Sequence, residues 1–155
     1  MNAKQLKVIS ARFNEKDTKL TKENFNGENI LTLVGSADSE EEIIEKFQKY
    51  VPDIVMINII GDTEGGMNII RKIQSMTDDK CPPFFIVAYN TDESDTNNDP
   101  ITSEISKIGF AFYRYNNEHD INSIIRFANR MTDVIKDEKE REKSGIYWKI
   151  SIKTE

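Results

Sequence analysis

Four consecutive apolar residues, Ile54-Val55-Met56-Ile57, constrain this chain more than any other stretch. Pro52-Asp53 opens the run and Asn58 closes it. Being apolar without alternation, it is apolar on both faces, as a strand in the interior of a parallel sheet must be. The next residues, Gly61-Asp62-Thr63-Glu64-Gly65-Gly66, form a loop rich in acid and glycine, and an amphipathic run begins at Met67. Open α/β sheets place ligands and chemistry beyond the carboxyl ends of such strands. Asn58 holds that position here, and it brings an amide.

On either side of this strand the chain alternates two patterns. Leu6 to Ser10 reads as a first strand and Ile30 to Gly35 as a second. Between them, Asn14 to Asn26 offers only Leu20 and Phe25 as large apolar residues, so a helix there has a thin apolar stripe and is loosely held. Ser39-Glu40-Glu41-Glu42 is a capping box, and Ile43, Ile44 and Phe47 give the helix after it one apolar face. Ile69, Ile70, Ile73 and Met76 recur at helical spacing, and Pro82-Pro83 ends that connection. Phe84 to Ala88 reads as a fourth strand, Asn90 to Pro100 as a long polar loop, and Ile101, Ile105 and Ile108 as a short helix stopped by Gly109. Phe110 to Tyr115 is a fifth, aromatic strand, and a long amphipathic helix from Ile121 to Ile135 follows. Strands alternating with helices predict a parallel sheet covered on both faces.

A chain of 155 residues suits one domain with a real core. With 37% hydrophobic and 31% charged residues it is globular, and the net charge of -6 argues against direct binding to nucleic acid. The single cysteine, Cys81, excludes an internal disulfide and fits a reducing compartment. No long apolar stretch or signal sequence is visible, so a cytoplasmic location is expected. Residues 1–135 form the expected domain, and 136–155 a separate tail. Lys136 to Lys143, almost wholly charged, extends the last helix into solvent, and Ile146 to Ile152 alternates like a half-buried strand.

From Leu6 to about Met131 the chain resembles the CheY-like receiver domains of bacterial two-component response regulators. The residues that carry the likeness are Lys7-Val8-Ile9, Val34-Gly35, Pro52-Asp53-Ile54-Val55-Met56-Ile57, Gly65-Gly66 and Ile108-Gly109. The resemblance implies a flavodoxin-like, doubly wound sheet of five parallel strands in the order 2-1-3-4-5. It also implies a phosphorylation pocket, and here this chain departs from the family at every position. Asn58 stands for the phosphoryl-accepting aspartate, and an amide is no nucleophile toward activated phosphate. Arg12-Phe13 replaces the acidic pair that holds Mg²⁺, and a hard cation needs anionic oxygens. Ala88 replaces the phosphoryl-contacting Thr or Ser, and Asn116 the Lys after the fifth strand. Together these changes remove the nucleophile, the metal and the charge stabilisation of phosphoryl transfer.

No cofactor and no metal is expected. Asp62 and Glu64 read as solvated loop acids, and Arg12 as paired with Asp38, Asp62 or Glu64. Tyr113 matches the family's switch aromatic, and beside Ala88 it is expected to stay turned inward. The expected function is that of a pseudo-receiver, non-enzymatic, which engages protein partners without phosphorylation. Self-association, if it occurs, is expected through the face of the fourth helix (101–108), the fifth strand and the helix after it, which carries Lys107, Arg114, Arg126 and Arg130 among acids. Two alternatives stand beside this reading. One is the amino-terminal piece of a longer DNA-binding response regulator, contacting nucleic acid only through a further output domain. The other is a flavodoxin-like ligand binder or enzyme, which would need a phosphate-cradling loop after the first strand; Ala11-Arg12-Phe13-Asn14 is not one.

Overall fold

A computed structural model describes residues 6–25, 30–60, 62–77, 83–89, 112–114 and 121–143. Five parallel strands, β1 (Leu6–Ala11), β2 (Leu31–Ala37), β3 (Ile54–Asn58), β4 (Phe84–Tyr89) and β5 (Phe112–Arg114), form one sheet in the order β2-β1-β3-β4-β5. The described helices are α1 (Glu15–Asn24), α2 (Glu40–Tyr50), α3 (Thr63–Ser75), α4 (Ile121–Arg130) and α5 (Thr132–Lys143). None is long and apolar enough to cross a membrane. The short helix expected at 101–108, the polar loop at 90–100 and the strand at 146–152 lie outside the described residues.

Strand β3 explains the layering. Successive side chains leave a strand on opposite faces, and all four of its apolar residues are fully buried. Ile54 and Met56 join Leu6, Val8, Phe84 and Ile86 in a core closed by Ile121, Ile124, Ile125 and Ala128 of α4. Val55 and Ile57 join Ile9, Phe85 and Val87 under Ile43 and Phe47 of α2 and Met67, Ile70 and Ile73 of α3. The sheet is therefore doubly wound. Capping sets the helix starts: Ser39 Oγ accepts from the Glu42 amide at 3.2 Å and donates to Glu42 Oε1 at 3.3 Å, and Asn14 Oδ1 accepts from the Asp17 amide at 2.7 Å.

The sequence gives no sign that one helix would bury polar residues against the sheet. Helix α1 buries Asp17 and Thr21 and leaves Leu20 only half covered. Phe13 and Phe25, just beyond its two ends, carry the apolar anchoring and are 4% and 1% exposed. Thr21 Oγ1 satisfies itself on the Asp17 carbonyl at 2.8 Å. Beneath the same helix, on β1, the Ser10 hydroxyl is buried without a hydrogen-bond partner among the described residues.

The long helix expected from Ile121 to Ile135 is two segments. The Met131 amide is shared between the Phe127 and Ala128 carbonyls, and Thr132 Oγ1 donates to the Asn129 carbonyl at 2.9 Å. A threonine bonded back onto the preceding turn competes with the regular ladder and bends a helix. Across this break Ile135 is fully buried, and the charged residues after it continue as helix.

Two substitutions test the energetics. Val51, the carboxyl cap of α2, is 64% exposed and has φ 46°, a left-handed conformation that a β-branched residue adopts only at a cost. Val51→Gly is expected to leave stability unchanged or raise it by about 1 kcal/mol, the relieved strain being partly offset by unfolded-chain entropy. Ser10→Ala removes an unsatisfied buried hydroxyl and is expected to be neutral or stabilising by up to about 1 kcal/mol. Urea denaturation reads both, and a loss above about 1 kcal/mol for Ser10→Ala would mean that the hydroxyl has a partner in solution.

Candidate functional site at the carboxyl edge of the sheet

The register of the sheet lines up the positions singled out from sequence. Ala11 pairs with Ile57, Asn58 with Ala88, and Ala88 with Tyr113. Arg12 follows β1 directly, so Arg12, Asn58, Ala88 and Tyr113 succeed one another along the carboxyl edge of four adjacent strands. The Tyr113 and Arg114 side chains, Asn116 and Lys107 lie outside the described part of the chain. The inward position expected for the Tyr113 ring therefore has no counterpart here.

Asn58 is half-buried, and its Oδ1 accepts from the Ile60 amide at 3.0 Å, closing a turn over the strand end. Ala88 is 1% exposed and belongs to the core beneath α4. Its carbonyl accepts from the Ile59 amide at 2.9 Å, tying β4 to the same turn. Phe13 packs into that core as well, so the residue after Arg12 is a buried ring.

Arg12 is the centre of the edge. It has φ 68°, and its amide donates to the Ala37 carbonyl at 2.8 Å. Among the acids offered by the sequence, Asp62 is the one it meets. Arg12 Nη2 lies 3.1 Å from Asp62 Oδ2, and Nη1 donates to the Asp62 carbonyl at 3.2 Å. Asp62 is also the cap of α3, with Oδ1 accepting from the Gly65 amide at 3.1 Å. One carboxylate thus caps a helix and holds a guanidinium. Glu64 turns outward to Arg71, at 3.9 Å.

The Gly65-Gly66 pair makes this close approach possible. A Cβ at Gly65 would run into the Asp62 carboxylate, and one at Gly66 would meet Ile59 and come within 2.9 Å of Arg12 Nη1. The arginine therefore lies against the bare first turn of α3. Sequence reading placed these glycines in a loop before Met67 and in the resemblance; they lie instead in the first turn of α3, and their packing role needed the fold. With Asp62 61% exposed, the ion pair itself stabilises by only about 0.5 kcal/mol. The chemistry of this edge is a neutral amide, a methyl group, a phenyl ring and a cation already paired. Among the described residues no group of three His, Cys, Asp or Glu could hold a metal ion.

The energetics of the edge follow. Arg12→Gly loses the ion pair but relieves the left-handed backbone, so a net change within about 1 kcal/mol is expected. Gly66→Ala overpacks a rigid contact and is expected to cost about 1–3 kcal/mol. Denaturation of the two variants side by side checks the order.

No protein-family model matches the sequence. Solved structures do. The receiver domain of the response regulator NarL from Mycobacterium tuberculosis superposes with TM-score 0.60 at 13% identity, over 86% of this chain and 98% of that one. The response regulator domain of CheB from Thermotoga maritima gives TM-score 0.64 at 16% identity, over 88% and 98%. The response regulator RcsB from Salmonella typhimurium, in a structure concerned with DNA interaction, gives TM-score 0.53 at 14% identity, over 96% of this chain and 64% of that one. Together with the strand order and the helices on both faces, these likenesses establish that the chain has the fold of a response-regulator receiver domain.

Proposed function

We propose that this chain is a pseudo-receiver: a receiver-like module that cannot be phosphorylated and that regulates signalling or transcription by binding protein partners. Arg12 carries the reading. It stands where the resemblance implies a metal-binding acid, its guanidinium is held on Asp62 at 3.1 Å, and the residue after it is a core phenyl ring. Divalent-metal binding would have to displace the Arg12 guanidinium and tolerate the Phe13 ring, with no carboxylate on β1 to favour it. Asn58 adds the absence of a nucleophile, and Ala88 the absence of a hydroxyl. No catalytic role is assigned to any of these residues.

Phosphodonor treatment tests the proposal. After incubation with acetyl phosphate and Mg²⁺, intact-mass measurement is expected to show no phosphoryl adduct on the natural chain. Asn58→Asp is expected to stay unmodified too. The variant keeps an oxygen for the Ile60 amide, so it should fold, yet Arg12 and Phe13 still leave no metal site. Modification of the natural chain would sink the reading.

The partner face in this proposal is the one expected from sequence. Arg126 and Arg130 lie exposed on α4, and Arg126 Nη2 also donates to Ser123 Oγ at 3.2 Å. If the chain self-associates there, Arg126→Glu with Arg130→Glu is expected to lower the sedimentation coefficient toward that of a monomer. An unchanged coefficient in a dimeric protein would move the interface elsewhere. The RcsB likeness favours a second reading, in which the chain is the receiver-like part of a longer regulator; the reading frame beyond Glu155 decides it.

A further inference from the structure

The helices that cover the sheet are not held alike. Helix α2 buries Ile43 and Phe47, α3 buries Met67, Ile69, Ile70 and Ile73, and α4 buries Ile121, Ile124, Ile125 and Ala128. Helix α1 buries Asp17 and Thr21 instead, and its Leu20 is only half covered. A helix of ten residues is marginal in water by itself, and helices in proteins are kept in place chiefly by the apolar face they bury. By that measure α1 has little to hold it down.

The sheet beneath is poorly matched to it as well. Helix α1 packs against α4 and β2, in the layer over one face of the sheet. Ser10 faces that layer, as its register partner Met56 does, and its buried hydroxyl has no hydrogen-bond partner among the described residues. An unmet buried hydroxyl favours a state in which water reaches it. The two ends of the helix, by contrast, are pinned. Before it, Phe13 is buried, the Arg12 amide donates to the Ala37 carbonyl at 2.8 Å, and the Arg12 guanidinium is held on Asp62. After it, Phe25 is buried and its carbonyl accepts from the Leu33 amide of β2 at 2.9 Å. Weakly held in the middle and fixed at both ends, the segment is built as a strap.

We propose that α1 opens as a unit: residues 14–24 lift from the sheet between fixed ends at Arg12–Phe13 and Phe25, while the strands and the other helices stay folded. Lifting brings water to the Ser10 hydroxyl and uncovers the β1–β2 side of the apolar core, so the open state is the minor one. The domain then has a two-state element, and a partner that binds one state better shifts the population toward it. Hydrogen exchange of the full ¹⁵N-labelled chain, followed by NMR at urea concentrations below the unfolding transition, tests the proposal. The amides of Thr18 to Asn24 are expected to be protected, but about a hundredfold less than those of Val55, Met56 and Ile57. They are expected to share one opening equilibrium that depends only weakly on urea. Ile70→Val, a mild change in the opposite layer, is expected to speed exchange at β3 about two- to tenfold and to leave α1 unchanged. Protection in α1 equal to that of β3, no protection there at all, residue-by-residue opening across 18–24, or exchange in α1 that quickens with β3 in Ile70→Val would each overturn the proposal. None of these outcomes bears on phosphodonor modification, so this proposal and the pseudo-receiver reading fail separately.

Discussion

Burial of β3 on both faces is the constraint on which everything else rests. Ile54, Val55, Met56 and Ile57 are wholly inaccessible, so the chain must supply one helical layer to each face. Burying each such side chain contributes about 1.5–3 kcal/mol against leaving it in water. The requirement explains why the two apolar clusters take alternate residues of the same strands, and why α2 and α3 share one face while α4 closes the other. It also fixes the carboxyl edge. Once β3 is central, the residues after β1, β3 and β4 converge on one rim, whatever chemistry they carry.

That rim is held together without a cluster of like charges among the described residues. A functional pocket of acids is normally an expensive arrangement, because like charges held close repel. Here the rim has no such cost. Arg12 neutralises Asp62, Phe13 extends the core, and Asn58 closes a turn that any strand end would need. The left-handed backbone at Arg12 is the residual strain, and the bare first turn at Gly66 is what lets the arginine lie flat.

Much of this was legible in the residues. The unbroken apolar run announced an interior strand, the capping box announced α2, and helical spacing announced α3 and α4. Arg12, Asn58, Ala88 and Tyr113 were singled out from sequence, and the strand register sets them along one rim. Other features were not legible. Three acids were in reach of Arg12 on paper, and only the loop geometry selects Asp62. The division at Met131 was hidden because the apolar spacing runs on unbroken through it; the deciding bond is a local one from Thr132. The buried face of α1 was unreadable because Asp17 and Thr21 look like surface residues, and the burial that governs them comes from Phe13 and Phe25 outside the helix.

The break at Met131 has a mechanical consequence. Ile135 is clamped in the core, so the charged segment after it leaves the domain in a set direction as helix, not as a loose tether. Eight residues of helix, 136–143, project about 12 Å at 1.5 Å per residue. Anything joined to that arm inherits both its length and its heading. A flexible linker would spread an attached group through a volume, whereas a helical arm confines it to a small part of a shell. The local concentration of that group at a chosen site is then set by angle more than by affinity. A threonine hydroxyl one turn from the last buried isoleucine is therefore a steering element for whatever lies beyond the sheet.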